Sequence, residues 1–378
     1  MKRRALLTVI GLLVGAMAGS PKALAAGVIF KSSVTGNPDV KSIEVIRFGP
    51  QGVLLVGDGR GSQVIAIDTG DATPRGTLQS AIERIDDKLA GRLGTTAKNI
   101  KINDMVVNPA SGVVYFSVLK QDERKPVILT VDGSGKIGEF ALDNVKYARL
   151  PLPAGDKGPV TRITDLSWAD DRVLVAGSAS EEFASKLVSI PVPLVHEAKG
   201  SIYSAETYHV SHGRWETRAP MSSLMPFRDA GRFYVVGAFS CTPVVKYPLD
   251  ELQSGAKAKG LSVIELGSGN RPLRMFSYEK DGKPYVLMNT FRFHHAKSPV
   301  GPSPYWTVRI EQSLLTENEA VNEKAVRRLD KKSPAAERIQ VVEAYHGVMN
   351  LDKLDANRAL VIRDDGEKGL TLTPLPLP

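Results

Sequence analysis

A periodicity of sixty residues constrains the fold of this chain more than any other feature. Four β-branched segments, GVLLVGD, GVVYFSV, RVLVAGS and RFYVVGA, place equivalent residues sixty positions apart: Val53, Val113, Val173 and Phe233. Two further copies, PYVLMNT from Pro284 and ALVIRDD from Ala359, follow at looser spacing. Self-similarity at a fixed period is typical of repeat architectures, and this repeat predicts six units.

Each unit has the same internal order. An apolar-alternating segment such as SIEVIRF, INDMVVN or ITDLSWA is followed by a turn rich in Gly, Asn, Asp or Pro. The β-branched segment comes next, and a variable loop then leads to a third apolar segment such as VIAIDTG or VILTVDG. Alternation with a period of two, broken by turn residues, predicts antiparallel hairpins. EFAL and AETYHV are the candidates for a fourth strand.

Units of three or four antiparallel strands are the building blocks of β-propeller blades. Across residues 27–378 the chain resembles the β-propeller superfamily in its repeat architecture, although the sequence carries no WD, kelch or Asp-box signature. The resemblance implies an all-β fold, a six-bladed β-propeller that forms a single domain over residues 26–378. A stack of β-sandwiches is the alternative architecture for the same pattern.

Some segments lie outside the regular repeat. The last unit ends after three strands, so we expect the N-terminal segment GVIFKSS from Gly27 to complete the sixth blade and close the ring without an exposed sheet edge. Between the first two units, residues 77–94 place leucines and isoleucines on one helical face. This predicts a short helical insertion packed between blades 1 and 2, with Gly94 as its C-cap. The charged stretch 317–338 is a second insertion.

The N-terminus has the organisation of a signal peptide. Basic residues at positions 2–4 precede an apolar run that ends near Met17, and residues 23–25 read Ala-Leu-Ala. This pattern predicts removal of residues 1–25. The apolar run is shorter than the ~20 residues needed to cross a bilayer, so we expect an exported protein, periplasmic or secreted, with no membrane span in the mature chain. The paired arginines leave the twin-arginine route open beside general secretion.

Composition narrows the class of partner. The formal net charge is +8, but four of the basic residues belong to the predicted signal peptide and the remaining charges are mixed in sign. Export and mixed charge argue against nucleic acid as a partner. A single cysteine excludes an internal disulfide. We expect a monomer that binds a small molecule, a glycan or a protein.

Five of the six histidines, the cysteine and several aromatic residues fall in long loops at one face of the predicted ring. This is the face at which each innermost strand begins, called the loop face below. Functional residues concentrate on loops held by a rigid scaffold. The predicted ligand-binding residues of the loop face are His209, His212, Trp215, Glu216, Cys241, His294, His295, Trp306 and His346. Aromatic rings in such a surface suit glycans or peptides, with blade packing as the alternative role of Trp306.

The segment YHVSHGRWET raises the question of a metal site. Residues three apart in an extended strand point to opposite faces, so His209 and His212 can share a metal ion only if a turn begins near Val210. The alternative is a loop held by hydrogen bonds of His212 and Glu216. Cys241 beside His212 would form a nucleophile and its base, but cysteine is also a common buried apolar residue.

Alignment of the innermost strands gives a column of polar residues: Glu44, Asp104, Asp165, Ser223, Arg274 and Asn350. Four members, Glu44, Asp104, Asp165 and Asn350, offer oxygen ligands suited to a divalent cation such as Ca or Mg in the channel. In residue type they are similar to the metal site of six-bladed lactonases of the gluconolactonase kind. A solvated polar ring, or pairing of Arg274 with an aspartate of the column, would make a metal unnecessary.

These observations predict a β-propeller that binds a ligand or partner through its loop face. One alternative is a metal-dependent hydrolase of the lactonase kind, with a cation held by the channel carboxylates. Another is a non-catalytic scaffold within an envelope complex. The sequence contains no phosphate loop and no G-x-S-x-G, H-E-x-x-H or C-x-x-C-H motif that would favour a particular reaction.

Overall fold

The computed structural model describes residues 28–210, 212–240, 243–266, 269–297, 301–316, 326–327 and 338–378. Six β-sheets form the blades of a ring around a central channel, and the innermost strands of neighbouring blades are in contact. The predicted six-bladed β-propeller of the all-β class is therefore confirmed. The predicted signal peptide (1–25), Cys241 and most of the charged insertion lie outside the described residues.

The first three blades hold the following strands, numbered along the chain. Blade 1 contains β1 (Val34–Gly36), β2 (Val45–Phe48), β3 (Val53–Asp58), β4 (Gln63–Asp68) and β9 (Val145–Pro151). Blade 2 contains β5 (Ile100–Val107), β6 (Val114–Lys120), β7 (Lys125–Val131) and β8 (Ile137–Phe140). Blade 3 contains β10 (Val160–Ala169), β11 (Arg172–Ala179), β12 (Ser185–Pro191), β13 (Ser201–His209), β14 (Arg214–Glu216) and β18 (Lys257–Lys259).

The remaining blades follow the same plan. Blade 4 contains β15 (Met221–Asp229), β16 (Arg232–Phe239), β17 (Pro243–Tyr247), β19 (Leu261–Glu265) and β23 (Val326–Arg327). Blade 5 contains β20 (Asn270–Lys280), β21 (Lys283–Arg292), β22 (Tyr305–Glu311) and β24 (Ile339–Val341), and blade 6 contains β25 (Val348–Lys353), β26 (Arg358–Asp364) and β27 (Leu370–Pro376). Short 3-10 turns occupy Pro50–Gly52, Ala97–Asn99, Leu249–Glu251, Gln312–Leu315, Glu343–Tyr345 and Gly366–Lys368.

The second strands are apolar on both faces because both faces pack against neighbouring blades. In β6, Val114, Phe116 and Val118 are buried in the cluster shared with blade 6. Tyr115, which points the opposite way, is buried in the cluster shared with blade 1. Strands buried on both faces become continuous apolar runs, which is why these segments carried the repeat in the sequence.

The blades do not follow one another around the ring in chain order. A side chain of one blade hydrogen-bonds the backbone of the next at every junction: Asp104 to Ile46 (blades 2 and 1), Glu44 to Ile163 (1 and 3), Asp165 to Leu224 (3 and 4), Ser223 to Met275 (4 and 5), Asn289 to Val348 (5 and 6) and Asp352 to Val107 (6 and 2). The spatial order is therefore 1-3-4-5-6-2. Blades 1 and 2 are exchanged relative to a simple circuit.

The predicted closure of blade 6 by the N-terminal segment is wrong. The N-terminal strand β1 pairs with β9 at the outer edge of blade 1 instead. The edge of blade 6 is met by Ile82, which exchanges two backbone hydrogen bonds with Leu372 on β27, at 2.8 and 3.0 Å. Just before β1, Phe30 forms a parallel bridge with Leu194, which follows β12 of blade 3. The N-terminal segment therefore lies against blades 1 and 3 and not against blade 6.

The helical insertion is shorter than predicted. Helix α1 spans Ile85–Arg92, because Arg84 has a left-handed backbone (φ 51°) and the preceding segment is engaged with β27. Gly94 adopts a positive φ of 68° directly after the helix, as predicted for its end. Ile85 and Leu89 are buried in the core cluster between blades 2 and 6, which are neighbours in the permuted ring. The helix therefore lies between blades 1 and 2 in the sequence, as predicted, but it packs between blades 2 and 6, so the predicted packing position is wrong.

Candidate functional site

A cavity of about 600 Å³ opens at the loop face of the channel. It is built where innermost strands begin and second strands end. Three innermost strands supply much of its wall: Lys101 and Asn103 lie on β5, Arg162 to Thr164 on β10, and Arg271 to Leu273 on β20. Ser222 and Ser240 line the blade 4 side. The loop face predicted from the sequence therefore does contain a concave site.

Three cations dominate the wall of this cavity. Lys101, Arg162 and Arg271 are exposed and, among the described residues, none of them has a carboxylate within ion-pair distance. The Arg271 guanidinium lies over the rings of Phe291 and Phe293, 5.6 and 5.8 Å from their centroids. The wall also carries one carboxylate, Glu44, so its net charge is positive, and a cleft of positive potential concentrates anions. The cavity is therefore suited to an anion.

Glu44 is the carboxylate of this cavity wall. Its Oε2 accepts a hydrogen bond from the backbone N–H of Ile163 at 2.7 Å, and its side chain lies against Gly59. Burial raises the pKa of Glu44 above its usual value, although the Ile163 N–H and the charge of Arg162 oppose the rise. Glu44 therefore takes up a proton more readily than an exposed glutamate.

Beyond the cavity residues along the innermost strands, buried arginines and aspartates form a network, called the channel floor below. Arg47 bridges Asp104 and Asp165, and Arg274 lies 2.7 Å from Asp352 and 3.5 Å from Asp104. Burial disfavours the charged form of Asp104, but Arg47 and Arg274 hold the pKa of this carboxyl below its usual value. Asp104 therefore stays ionised although it is buried.

The four residues predicted as cation ligands all have protein partners, although the Oδ1 of Asn350 has none among the described residues. Asp104 accepts hydrogen bonds from the Ile46 N–H and from Asn350 Nδ2, each at 3.0 Å. Asp165 accepts from Ser223 Oγ at 2.8 Å in addition to its pairing with Arg47. These are the contacts of the alternative in which arginines supply the positive charge, but through Arg47 as well as Arg274. Glu44 lies apart from the other three, at the cavity wall.

A turn brings His209 and His212 together. Strand β13 ends at His209, the N–H of His212 donates to the His209 carbonyl at 3.1 Å, and β14 returns to Glu216. His212 Nδ1 lies 2.7 Å from Glu216 Oε1. Trp215 points to the other side of the hairpin, where its ring meets Tyr208 at 5.6 Å. This hairpin lies beside the cavity and does not line it.

Trp306 and His346 form a separate contact between blades 5 and 6. Trp306 is 7 % exposed and meets the His346 ring at 6.0 Å, with the Arg292 guanidinium 4.3 Å from the Trp306 ring. These contacts agree with a packing role for Trp306. His294, on the loop after β21, is exposed beside Gly269, and His295 is half-buried. None of these histidines is among the residues that line the cavity.

Sequence reasoning did not single out the cavity cations, although a signal was present. Three positions before the polar column of the innermost strands, the chain reads Lys41, Lys101, Arg162, Pro220, Arg271 and Gly347. Four of these six residues are basic, and three of the four line the cavity. A basic residue that recurs at this position of the repeat is therefore the sequence signal for the cavity cations.

No protein-family model matches the chain, and no curated protein matches it in sequence. Several solved structures are similar over much of its length. The lignostilbene dioxygenase of Pseudomonas brassicacearum is 10 % identical, with a TM-score of 0.37 over 89 % of this chain and 69 % of that chain. The α-L-arabinofuranosidase of Lactobacillus brevis is 10 % identical, with a TM-score of 0.35 over 73 % of this chain and 90 % of that chain. Within the part of the chain that is described, no helix is long and apolar enough to cross a membrane.

Proposed function

We propose that this protein is an exported β-propeller that binds a small anionic molecule, a carboxylate or phosphate, in the cavity at its loop face. The observation that carries the proposal is the set of three cations, Lys101, Arg162 and Arg271, that face a common space of about 600 Å³ without carboxylate partners in the described structure. A volume of this order is that of a small-molecule pocket.

The arrangement explains how an anion is oriented. Arginines bind carboxylates and phosphates through two parallel N–H groups, and Arg271 is already positioned by the rings of Phe291 and Phe293. Asn103, Thr164 and Ser222 add neutral hydrogen-bonding groups to the same wall. Arg47 and Arg274 of the channel floor are paired with aspartates, so the cations available to an anion are those of the cavity wall.

The test is calorimetric titration of the purified mature chain with phosphate, acetate, succinate and benzoate at low ionic strength. Arg162→Gln and Arg271→Gln are each expected to weaken binding by about tenfold or more, since a hydrogen bond to a charged group contributes about 1.5–3 kcal/mol. Lys88→Gln, on the exposed side of α1, is the matched control and leaves affinity unchanged. Equal affinity in all variants, or no binding of any anion, would exclude the proposal.

Export is tested separately by fractionation of the expressing cell. The predicted signal peptide supports a mature chain that begins at Ala26 in the periplasm or medium. Edman sequencing of the recovered protein identifies its first residue. Recovery of the full-length chain from the cytoplasm would refute export and leave the anion site unaffected.

A further inference from the structure

The hairpin formed by β13 and β14 collects three potential metal ligands on one side. Thr207 is paired with Glu216 and His209 with Arg214, so the side chains of His209 and Glu216 lie on the same face of the hairpin. The turn after His209 places the His212 ring parallel to the His209 ring, with centroids 4.5 Å apart. The sequence allowed both histidines to bind one ion only if a turn begins near Val210, and the structure has this turn.

The donor atoms of this group are close to one another. One nitrogen of each histidine and a carboxylate oxygen of Glu216 all lie within 4.8 Å. His209 Nε2 is 3.9 Å from Glu216 Oε2, while His212 Nδ1 is 2.7 Å from Glu216 Oε1. Ligands at about 2.0–2.2 Å in a tetrahedral zinc site lie roughly 3.3–3.6 Å apart. To reach this spacing, the 3.9 Å distance must shorten and the 2.7 Å distance must lengthen, which requires small rotations of His212 and Glu216, 38 % and 20 % exposed.

His209 is a buried polar side chain that the protein does not satisfy. It is fully inaccessible to solvent, and neither ring nitrogen has a hydrogen-bond partner among the described residues, although the Ser240 backbone lies beside the ring. Unsatisfied buried polar atoms are uncommon in folded proteins, and an unseen ion is one of the ordinary explanations. If His212 and Glu216 only held the loop by their hydrogen bond, a buried imidazole at His209 would not be required.

We propose that His209, His212 and Glu216 form a site for a divalent transition-metal ion, with zinc the ion that best matches two imidazoles and one carboxylate. Three protein ligands leave a fourth tetrahedral position for water or for a ligand atom. The site is separate from the anion cavity but shares a wall with it, since Ser240 lies beside His209 and also lines the cavity. The proposal does not depend on the anion proposal.

The experiment titrates zinc chloride into the untagged mature chain after removal of metals by chelation. We expect one equivalent to bind, together with a rise in the midpoint of thermal unfolding, because an ion that binds the native state stabilises it. Loss even of an outer-shell partner costs 10–100-fold in metal affinity, so His212→Ala and Glu216→Gln are each expected to weaken binding by about 100-fold or more. His294→Ala, an exposed loop histidine outside the group, is the matched control with unchanged affinity.

A second readout separates coordination from a purely structural role. Cobalt(II) in place of zinc is expected to give the intense visible absorption of a tetrahedral complex in the wild-type chain and in His294→Ala, and to lose it in His212→Ala. His212 is partly exposed, so its removal leaves the fold intact even if His209→Ala does not. Absence of zinc binding, or binding that is equally tight in His212→Ala and Glu216→Gln, would overturn the proposal. Anion binding in the cavity is measured on the same samples, so failure of either proposal is seen independently.

Discussion

At the scale of single residues, the channel floor depends on Arg47. It is 11 % exposed and lies between Asp104 and Asp165, which are 7 % and 2 % exposed. Removing one partner of a buried ion pair leaves an uncompensated charge and costs roughly 3–5 kcal/mol. We expect Arg47→Met to lower the free energy of unfolding by about this amount, as measured by urea denaturation of the mature chain.

Arg162→Met is the control for this change. Arg162 belongs to the next blade but is exposed and has no carboxylate within ion-pair distance in the described structure. Substitutions of this kind usually change stability by less than about 0.5 kcal/mol. If Arg47→Met lowered the free energy of unfolding no more than Arg162→Met, the stability of the channel floor would not depend on the pairing of its charges.

Glu44 makes anion binding depend on pH. Because burial raises the pKa of Glu44 above 4.5, its carboxyl gains a proton in mildly acidic solution while the cavity arginines and Lys101 stay charged. The negative charge that opposes a bound anion then disappears. We expect affinity for an anion that is itself fully ionised in this range, such as sulfate, to rise as pH falls through the pKa of Glu44, and Glu44→Gln to bind more tightly with a flatter profile. A falling affinity in acid, or the same profile in Glu44→Gln, would contradict this assignment.

At the scale of elements, bulges in the innermost strands build the cavity and its floor together. The register of the innermost strand shifts just before Asp104, Asp165, Ser223, Arg274 and Asn350. A bulge turns an extra residue toward one face. Asn103 then lines the cavity, while the next residue, Asp104, accepts a hydrogen bond from the backbone of the neighbouring blade.

This limits how much of the site could be predicted from the sequence. Strands such as β6 and β11 were predictable because their apolar runs repeat at a fixed interval. The bulges were not, since alternation says nothing about where an extra residue is inserted. Cross-chain pairings such as Arg47 with Asp165 also depend on which blades are neighbours. His209 and His212 came together through a turn that the sequence allowed but did not require.

Helix α1 packs between blades 2 and 6. Leu89 is fully buried in the cluster that joins these blades, while Lys88 on the same helix is exposed. Truncating a buried leucine removes its contacts and leaves a cavity, at a cost of about 2–5 kcal/mol. We expect this loss for Leu89→Ala in urea denaturation and a change below about 0.5 kcal/mol for Lys88→Ala. If the two substitutions lowered the free energy of unfolding equally, helix α1 would not stabilise the contact between blades 2 and 6.

At the scale of the whole molecule, the blades are interleaved. Strand β9 reaches blade 1 only after blade 2 has been completed, and Ile82, between these blades in the chain, is bonded to the edge of blade 6. Blade 1 therefore cannot form its full sheet from a continuous segment. The permuted order links parts of the chain that are distant in sequence, although no N-terminal strand closes blade 6. The sequence did not reveal this order, because the repeated units look alike whichever blades are neighbours.

The interleaving predicts a disulfide that a ring in chain order would not accommodate. Asp68 on β4 is paired with Lys146 on β9, and their side chains already meet at 3.1 Å. Directly opposed residues of antiparallel strands have Cα atoms about 4.5–5.5 Å apart, within the range of a disulfide. In the double variant Asp68→Cys and Lys146→Cys, we expect mild oxidation to leave one titratable thiol, that of Cys241, and to raise the unfolding free energy by up to about 4 kcal/mol, because the cross-link restricts the unfolded chain. Each single variant is the control and keeps two thiols as a monomer. Three thiols in the oxidised double variant, with no gain in stability over the reduced form, would show that β9 does not complete blade 1.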